Sequence, residues 1–156
     1  MQDNTALSES NTARRRWMSV LARARAEELE QHLTALNTAP AFRWLRQPEI
    51  GMVMLRARTG GTGAQFNLGE ATLTRCVLRT DTGFTGVSYA LGRDRRHAEL
   101  AALFDALLQD SQHTSALERD VIEPLEAQQR QRREQESRKA AATKVDFYTL
   151  ARGDDD

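Results

Sequence analysis

The sequence contains few of the residues that support disulfide, cluster or metal chemistry. Cys76 is the only cysteine among 156 residues, so this chain alone can form no internal disulfide and cannot hold an iron–sulfur cluster. The three histidines are far apart in the sequence and lack the paired spacing of a zinc site. A single cysteine is typical of a reducing compartment, and we therefore expect a cytoplasmic protein.

Net charge and long apolar runs are absent as well. The chain has 22 basic and 22 acidic residues, so no overall field attracts it to nucleic acid or to an anionic membrane surface. No apolar run approaches the roughly 20 residues of a membrane span. Neither nucleic acid nor a membrane is therefore expected as a partner, and no cofactor is expected on this chain alone.

The pattern along the chain predicts three segments. Residues 1–11 are polar and are expected to form a disordered N-terminal tail, residues 12–126 a single α+β domain, and residues 127–156 a C-terminal arm. Apolar residues at helical spacing predict two N-terminal helices with a break near residues 24–26. Residues 128–139 are almost entirely polar, so a helix there cannot be held by a core of its own.

The centre of the chain predicts a four-stranded, mostly antiparallel sheet. The expected strands are a short one that Pro48 ends, then residues 50–58, 70–80 and 84–91, with a tight hairpin at residues 81–83. A long helix is expected to cover one face of the sheet. Its apolar stripe comprises Leu100, Leu103, Phe104, Leu107 and Leu108.

A glycine-rich segment, Gly60-Gly61-Thr62-Gly63, invites comparison with phosphate-binding loops. No lysine follows it, as a Walker loop requires, and no third glycine completes a dinucleotide fingerprint. It also joins two predicted strands instead of opening a helix. A turn is therefore the simpler interpretation, although Gly61 and Thr62 remain candidates for ligand or partner contact.

The richest polar segment, residues 91–99, lies where the last strand gives way to the covering helix. Asp94 is expected to cap that helix. His97 falls in the first turn, where the helix dipole favours a neutral imidazole that can act as a base or simply pack. Arg93 and Arg96 beside free helix amides suit an anion, and surface ion pairs explain them equally well.

An apolar, strand-like segment at residues 145–150 follows the polar stretch. Its side chains are either a hook for another subunit or a strand that returns to this chain's own sheet edge, and the sequence leaves both open. The residues concerned are Val145, Phe147, Tyr148 and Leu150.

Several motifs in order resemble the G subunit of the bacterial carbon–phosphorus lyase system, the PhnG family. The matching pieces extend from about residue 14 to the end of the chain. They are residues 16–22, 60–63 with Phe66, 69–75, 91–94 with 97–99, 105–107, and 145–147 with 152–154.

The resemblance implies a function that composition and spacing do not show. Family members act with sister subunits I and H, and transiently L, to displace adenine from ATP by an alkylphosphonate. The product is α-D-ribose 1-methylphosphonate 5-triphosphate. The radical subunit J later breaks the carbon–phosphorus bond, and G, H, I and J form a core complex. ATP would thus be a substrate of the complex, and this chain is expected to be inactive alone, with homo-oligomers possible when it is isolated.

The resemblance transfers no established catalytic residue to this chain. The expectation is that Arg93, His97 and Glu99, together with Arg75, face a subunit boundary and help to hold triphosphate or phosphonate. Arg96 and Glu70 are further ligand or interface candidates. Two other interpretations stay open, namely a pure interaction module and a stand-alone enzyme that uses His97 as its base.

Overall fold

The computed structural model describes residues 3–36, 40–60 and 62–143, without the side chains of residues 3–10. Five α-helices and one π-helical segment lie within these residues. The helices are α1 (Asp3–Leu21), α2 (Ala26–Ala35), α3 (Arg95–Leu107), α4 (Thr114–Leu117) and α5 (Glu123–Ala142), with the π-helical segment at Glu118–Ile122. The strands are β1 (Phe42–Arg58), β2 (Gln65–Thr80) and β3 (Thr85–Leu91).

Within the described residues the strands form one antiparallel sheet in the order β1-β2-β3. The predicted α+β class is confirmed, but the prediction of four strands was wrong. Pro48 lies inside β1 and does not end it. Since β1 is an edge strand of the described sheet, one side of its backbone has no described neighbour that would need the missing Pro48 N–H. Register shifts between Trp44 and Glu49 accommodate the ring.

Helix α3 lies between the sheet and a layer of helices, and is buried on both sides. Towards the sheet it presents Ala98, Ala102, Leu103 and Ala106, which pack on Cys76 and Leu78 of β2. Towards the helices it presents Leu100, Ala101, Phe104 and Leu108. The predicted leucine stripe therefore mostly faces the helical layer, while a row of small residues provides much of the contact with the sheet.

Gly86 of β3 marks the closest approach of α3 to the sheet. A Cβ atom added at this position would lie 1.8 Å from the carbonyl oxygen of Ala102 and 2.9 Å from the amide nitrogen of Ala106. Both atoms belong to the α3 backbone and cannot turn away as a side chain can. Only glycine therefore permits this spacing between β3 and α3.

The helical layer begins with α1 and α2, which are separated at residues 22–25, so the predicted break near residues 24–26 is confirmed. Helix α1 begins at Asp3, so residues 3–11, for which we expected a disordered tail, are helical here. Towards the C-terminus, α4, the π-helical segment and α5 follow one another without interruption, and Pro124 lies in the first turn of α5. Because the residues before it are already helical, Pro124 removes one amide donor inside a continuous helical run, next to the π-helical segment.

Helix α5 changes character along its length. Leu125 and Gln129 are buried, and the Gln129 Nε2 atom donates a 2.9 Å hydrogen bond to the carbonyl oxygen of Val20. Residues 133–143 are exposed on every side. The division into a domain at 12–126 and an arm at 127–156 stays a prediction, although the contacts of α5 with the body extend to Arg132, which pairs with Glu28.

Candidate functional site

The segment from Gly92 to His97 connects β3 to α3 and is fixed by backbone and capping bonds. Gly92 adopts a positive φ of 102°, and its N–H donates to the carbonyl oxygen of Thr72 at 2.8 Å. The Thr74 hydroxyl donates to the Gly92 carbonyl oxygen at 2.8 Å. Asp94 accepts the amide N–H of His97 at 2.9 Å, which confirms the predicted N-cap. The arginines of this segment are thus held on a defined backbone.

His97 is buried between α3 and α1. Its Nε2 atom lies 2.8 Å from the carbonyl oxygen of Leu21, and a carbonyl oxygen can only accept, so Nε2 carries the proton. The imidazole thereby satisfies one of the free carbonyls at the C-terminus of α1. A base that used Nε2 would have to break this bond. The geometry is that of a packed, hydrogen-bonded histidine, the simpler of the two interpretations considered.

The remaining charged residues of α3's first turn fall into two groups. The Arg96 guanidinium pairs with Glu30 of α2 at 2.8 Å and with Glu99 one turn along α3. These bonds raise the pKa of Arg96, the bond from Glu30 most of all. Arg93 and Arg95 are exposed and make no ion pair or side-chain hydrogen bond with any residue that the structure describes. They are the members of this segment that can meet a ligand or a partner.

Arg75 does not join that group. On β2 the residues Thr74, Cys76 and Leu78 are buried under α3, so strand alternation places Arg75 on the opposite face of the sheet. There its guanidinium pairs with Glu49, which also binds Arg46 at 2.5 Å. Hydrogen bonds from the two guanidinium groups lower the pKa of Glu49. The sheet therefore separates Arg75 from His97 and Glu99.

The glycine-rich segment is a turn between β1 and β2. The Gly63 amide donates to the carbonyl oxygen of Thr59 at 2.9 Å, and Gly60 has a positive φ of 60°. Thr62 is exposed, and Glu70 is an exposed residue of β2. Two other parts of the predicted set lie outside the described residues. They are Gly61 and the proposed partner-binding side chains Val145, Phe147, Tyr148 and Leu150.

Sequence reasoning missed the most highly connected carboxylate of the fold, that of Asp105. Its side chain is completely buried and accepts hydrogen bonds from Arg14 Nη2 at 2.7 Å, from Trp17 Nε1 at 2.9 Å and from the Val87 amide at 2.9 Å. The bond from Val87 satisfies an amide on the outer edge of β3. A lone acidic residue inside the apolar stripe of residues 100–108 was the signal that could have found it.

The described residues show no site for a metal ion. They contain no cluster of three or more His, Cys, Asp or Glu side chains able to hold one. Burial raises the pKa of the Cys76 thiol to about 12, with a smaller contribution from the Glu99 carboxylate. That thiol is therefore a core group and not an activated nucleophile. Nor do the helices within the described ranges include one long and apolar enough to cross a membrane.

Beyond the end of β3, strands β1 and β2 continue as a two-stranded ribbon, residues 52–58 and 65–71. Its large apolar side chains are exposed on both faces. They are Met52 at 66%, Leu68 at 63%, Met54 at 49%, Phe66 at 44%, and Val53 and Leu55 at 37% each. A concentration of apolar surface like this is characteristic of proteins that assemble with others.

The fold and these surfaces define the class of protein: a small α+β protein that carries an exposed apolar ribbon. The comparison with known families makes the assignment specific. The chain belongs to the PhnG family, because the family profile described as "Phosphonate metabolism protein PhnG" matches residues 12–153.

A curated relative supports the same assignment over almost the full length of both chains. It is the α-D-ribose 1-methylphosphonate 5-triphosphate synthase subunit PhnG of Rhizobium meliloti (strain 1021). The two sequences are 43% identical over 145 residues, which cover 91% of this chain and 90% of the relative. The resemblance found in the ordered sequence motifs is thereby confirmed.

Proposed function

We propose that this protein is the G subunit of a synthase that makes α-D-ribose 1-methylphosphonate 5-triphosphate from ATP and methylphosphonate, with release of adenine. The observation that carries the proposal is the 43% identity to a subunit of that synthase along nearly the whole of both chains. The proposed partners are the sister subunits I, H and J, and transiently L, in the cytoplasm. ATP enters as a substrate of the complex, and no cofactor is assigned to this chain.

Within the complex, the proposed role is to support the reaction and not to perform it alone. Most of the candidate polar groups already have structural partners. Asp94 caps α3, His97 binds the end of α1, and Arg96 and Glu99 pair with each other. Such bonds make a stand-alone enzyme with His97 as its base the weaker alternative. They leave a pure interaction module as the second candidate function.

Mutation of Arg93 distinguishes a subunit that supports the reaction from a pure interaction module. The Arg93 side chain is exposed on a loop that Gly92 and Asp94 hold in place. A guanidinium is well suited to phosphate and phosphonate oxygens. We propose that Arg93 meets the triphosphate or phosphonate at a subunit boundary, with His97 and Glu99 as residues that position its loop. Arg75 would act at a different surface, on the other face of the sheet.

The test is adenine release from ATP and methylphosphonate by the co-expressed subunits. The wild-type chain with its sister subunits should release adenine, whereas the purified chain alone should not. Arg93→Ala should depress turnover while the complex still co-purifies. Arg15→Ala is the matched control, since Arg15 is an exposed arginine of α1 without a described partner.

Shortened chains test the arm. Removal of residues 133–156 retains the contacts of Gln129 and Arg132 with the body, so the domain should keep its stability while co-purification falls. If Arg93→Ala does not change turnover, the pure interaction module becomes the favoured function. Adenine release by the isolated chain, or no release by the full set of subunits, would refute the proposed function itself.

A further inference from the structure

Among the residues that the structure describes, the β1–β2 ribbon projects from one end without a supporting layer. Pairing of β2 with β3 ends at Leu73 and Leu91, and only the Gly92 amide extends it by one bond to Thr72. About seven residues of each strand continue further, which corresponds to a reach of roughly 20 Å. A two-stranded ribbon is marginal in water by itself. Its persistence is more easily explained if a partner covers it.

Strand alternation divides the ribbon into two apolar faces. Met52 and Met54 pair with Thr72 and Glu70, and so continue the sheet face that α3 covers further along. Val53, Leu55 and Phe66 belong to the opposite face. None of these side chains belongs to the two core clusters of the described residues. These side chains therefore do not take part in the core packing of the described residues.

The ribbon and helix α5 leave the body at the same end. Helix α1 is antiparallel to α3, because Arg14 contacts Asp105 whereas Leu21 contacts His97. Helix α5 runs parallel to α1, since Glu126 contacts Arg16 and Gln129 contacts Val20.

The next contact of α5 is Arg132 with Glu28, at the start of α2. The exposed turns of α5 therefore extend past the N-terminus of α3, as the ribbon does. The start of α3 lies between two projections, one from each outer layer of the fold.

Charge at this end favours an acidic partner. Arg56 on the ribbon and Arg93 and Arg95 at the start of α3 are exposed and have no ion pair or side-chain hydrogen bond among the described residues. The only acid of the ribbon is Glu70, and Asp94 is occupied by its capping bond. Positive charge beside exposed apolar side chains is complementary to a segment that is acidic and partly apolar.

We propose that this end of the molecule, the ribbon with its Arg56 together with Arg95, binds an acidic segment of a sister subunit. Apolar side chains of that segment pack on Met52 and Met54, and its carboxylates pair with the arginines. The inference rests on the proposed function, because it takes the partner from the same complex. It adds the surface and the chemistry of contact, neither of which the family assignment contains.

The experiment co-expresses the full-length chain with subunits I, H and J and measures complex recovery and dissociation constants at low and high salt. One variant, M52T/M54T, keeps side chains suited to a strand while it removes the apolar contacts. A second, R56E/R95E, reverses the charge and places an acid in the first turn of α3, which the helix dipole favours. The controls are Leu45→Thr, at a 52% exposed apolar position near the other end of β1, and Arg15→Glu.

Both test variants should weaken assembly about tenfold or more, as loss of central contacts does, while both controls assemble like the wild type. Assembly of R56E/R95E should also lose its dependence on salt. Urea midpoints within the error of the wild type would confirm that the variants are folded.

Each contrary result has a distinct meaning. If the wild-type chain neither assembles nor supports adenine release, the proposed function fails. If the wild type succeeds and either test variant assembles equally well, the docking surface or its acidic partner is refuted. If the isolated chain forms a dimer that M52T/M54T dissociates, the occupant is a second copy of this chain, and the inference is overturned.

Discussion

Replacement of Asp105 by alanine should cost far more stability than loss of a surface ion pair of the same geometry. The matched control is Glu126→Ala. Both carboxylates bind an arginine of α1, Arg14 or Arg16, with a closest N–O distance of 2.7 Å. They differ in burial, since the Asp105 side chain is 0% exposed and the Glu126 side chain 33%. The comparison therefore measures what burial and the additional donors of Asp105 contribute beyond a surface ion pair.

The magnitude follows from the donors that Asp105→Ala leaves behind. Trp17 Nε1 and the Val87 amide would lose their acceptor, and an unsatisfied buried donor costs about 1–3 kcal/mol. Arg14 is 35% exposed, so the charge it is left with is partly solvated and adds less than the loss of a fully buried partner would. We expect a loss of about 4 kcal/mol for Asp105→Ala. An exposed pair contributes about 0–1 kcal/mol, which sets the expectation for Glu126→Ala.

Urea unfolding followed by far-UV circular dichroism measures both values. With a slope of about 2 kcal/mol per molar urea, the midpoint should fall by about 2 M for Asp105→Ala and by less than about 0.5 M for Glu126→Ala. Trp17 gives a second signal, because its indole N–H loses its acceptor. Equal midpoint shifts for the two variants, or a loss below about 1 kcal/mol for Asp105→Ala, would refute the assigned role of the buried carboxylate.

Three further predictions concern single residues. Burial raises the pKa of the Cys76 thiol to about 12, so this thiol should resist alkylation at pH 8 until the protein unfolds. The raised pKa also contributes stability that is present below about pH 9 and is lost as the pH rises towards 12. Rapid alkylation of the native protein would contradict the burial. In Gly86→Ala the added Cβ would lie 1.8 Å from the Ala102 carbonyl oxygen. Urea unfolding should show that the free energy of unfolding falls by about 1–3 kcal/mol or more. A neutral effect would mean that α3 can move away freely. His97→Asn should cost about 1 kcal/mol because the bond to the Leu21 carbonyl oxygen is lost. It should also depress synthase turnover, corrected for the folded fraction, while assembly stays intact, because the Arg93 loop loses a positioning residue; unchanged turnover would remove His97 from that role.

The number of strands shows where sequence reasoning was misled. From the sequence, Pro48 was predicted to end a strand. A proline in a central strand of a sheet would do so. The rule depends on which side of the backbone has a neighbouring strand, and within the described part of the chain β1 has one on a single side. A sequence does not state which strand forms an edge. Only the tertiary structure therefore shows that β1 is a single continuous strand.

The start of α3 shows the opposite case. Asp94 was assigned as the N-cap from its position between an apolar strand and a helical stripe, and the bond to the His97 amide confirms it. The interaction spans three residues, so the local sequence was sufficient. The local sequence could not predict the hydrogen-bond partner of the His97 side chain, because Leu21 is 76 positions away in the chain.

Asp105 shows the same limit of sequence-based prediction inside the core. Its position within an apolar helix was visible in the sequence, but its donors come from α1 and β3, far away along the chain. The row of small residues on α3 was equally hidden, because alanine gives no periodic apolar signal and gains its meaning only against Gly86 of the sheet.

The amino-acid sequence by itself determined the α+β class, the turns, the cap of α3 and the family of this protein, since each depends on neighbouring residues or on ordered motifs. The tertiary structure alone decided which face of the sheet carries Arg75, how the Asp105 carboxylate is satisfied, and that the ribbon and α5 leave the body at one end. Those features arise from contacts between distant parts of the chain, and such contacts are fixed only when the layers pack.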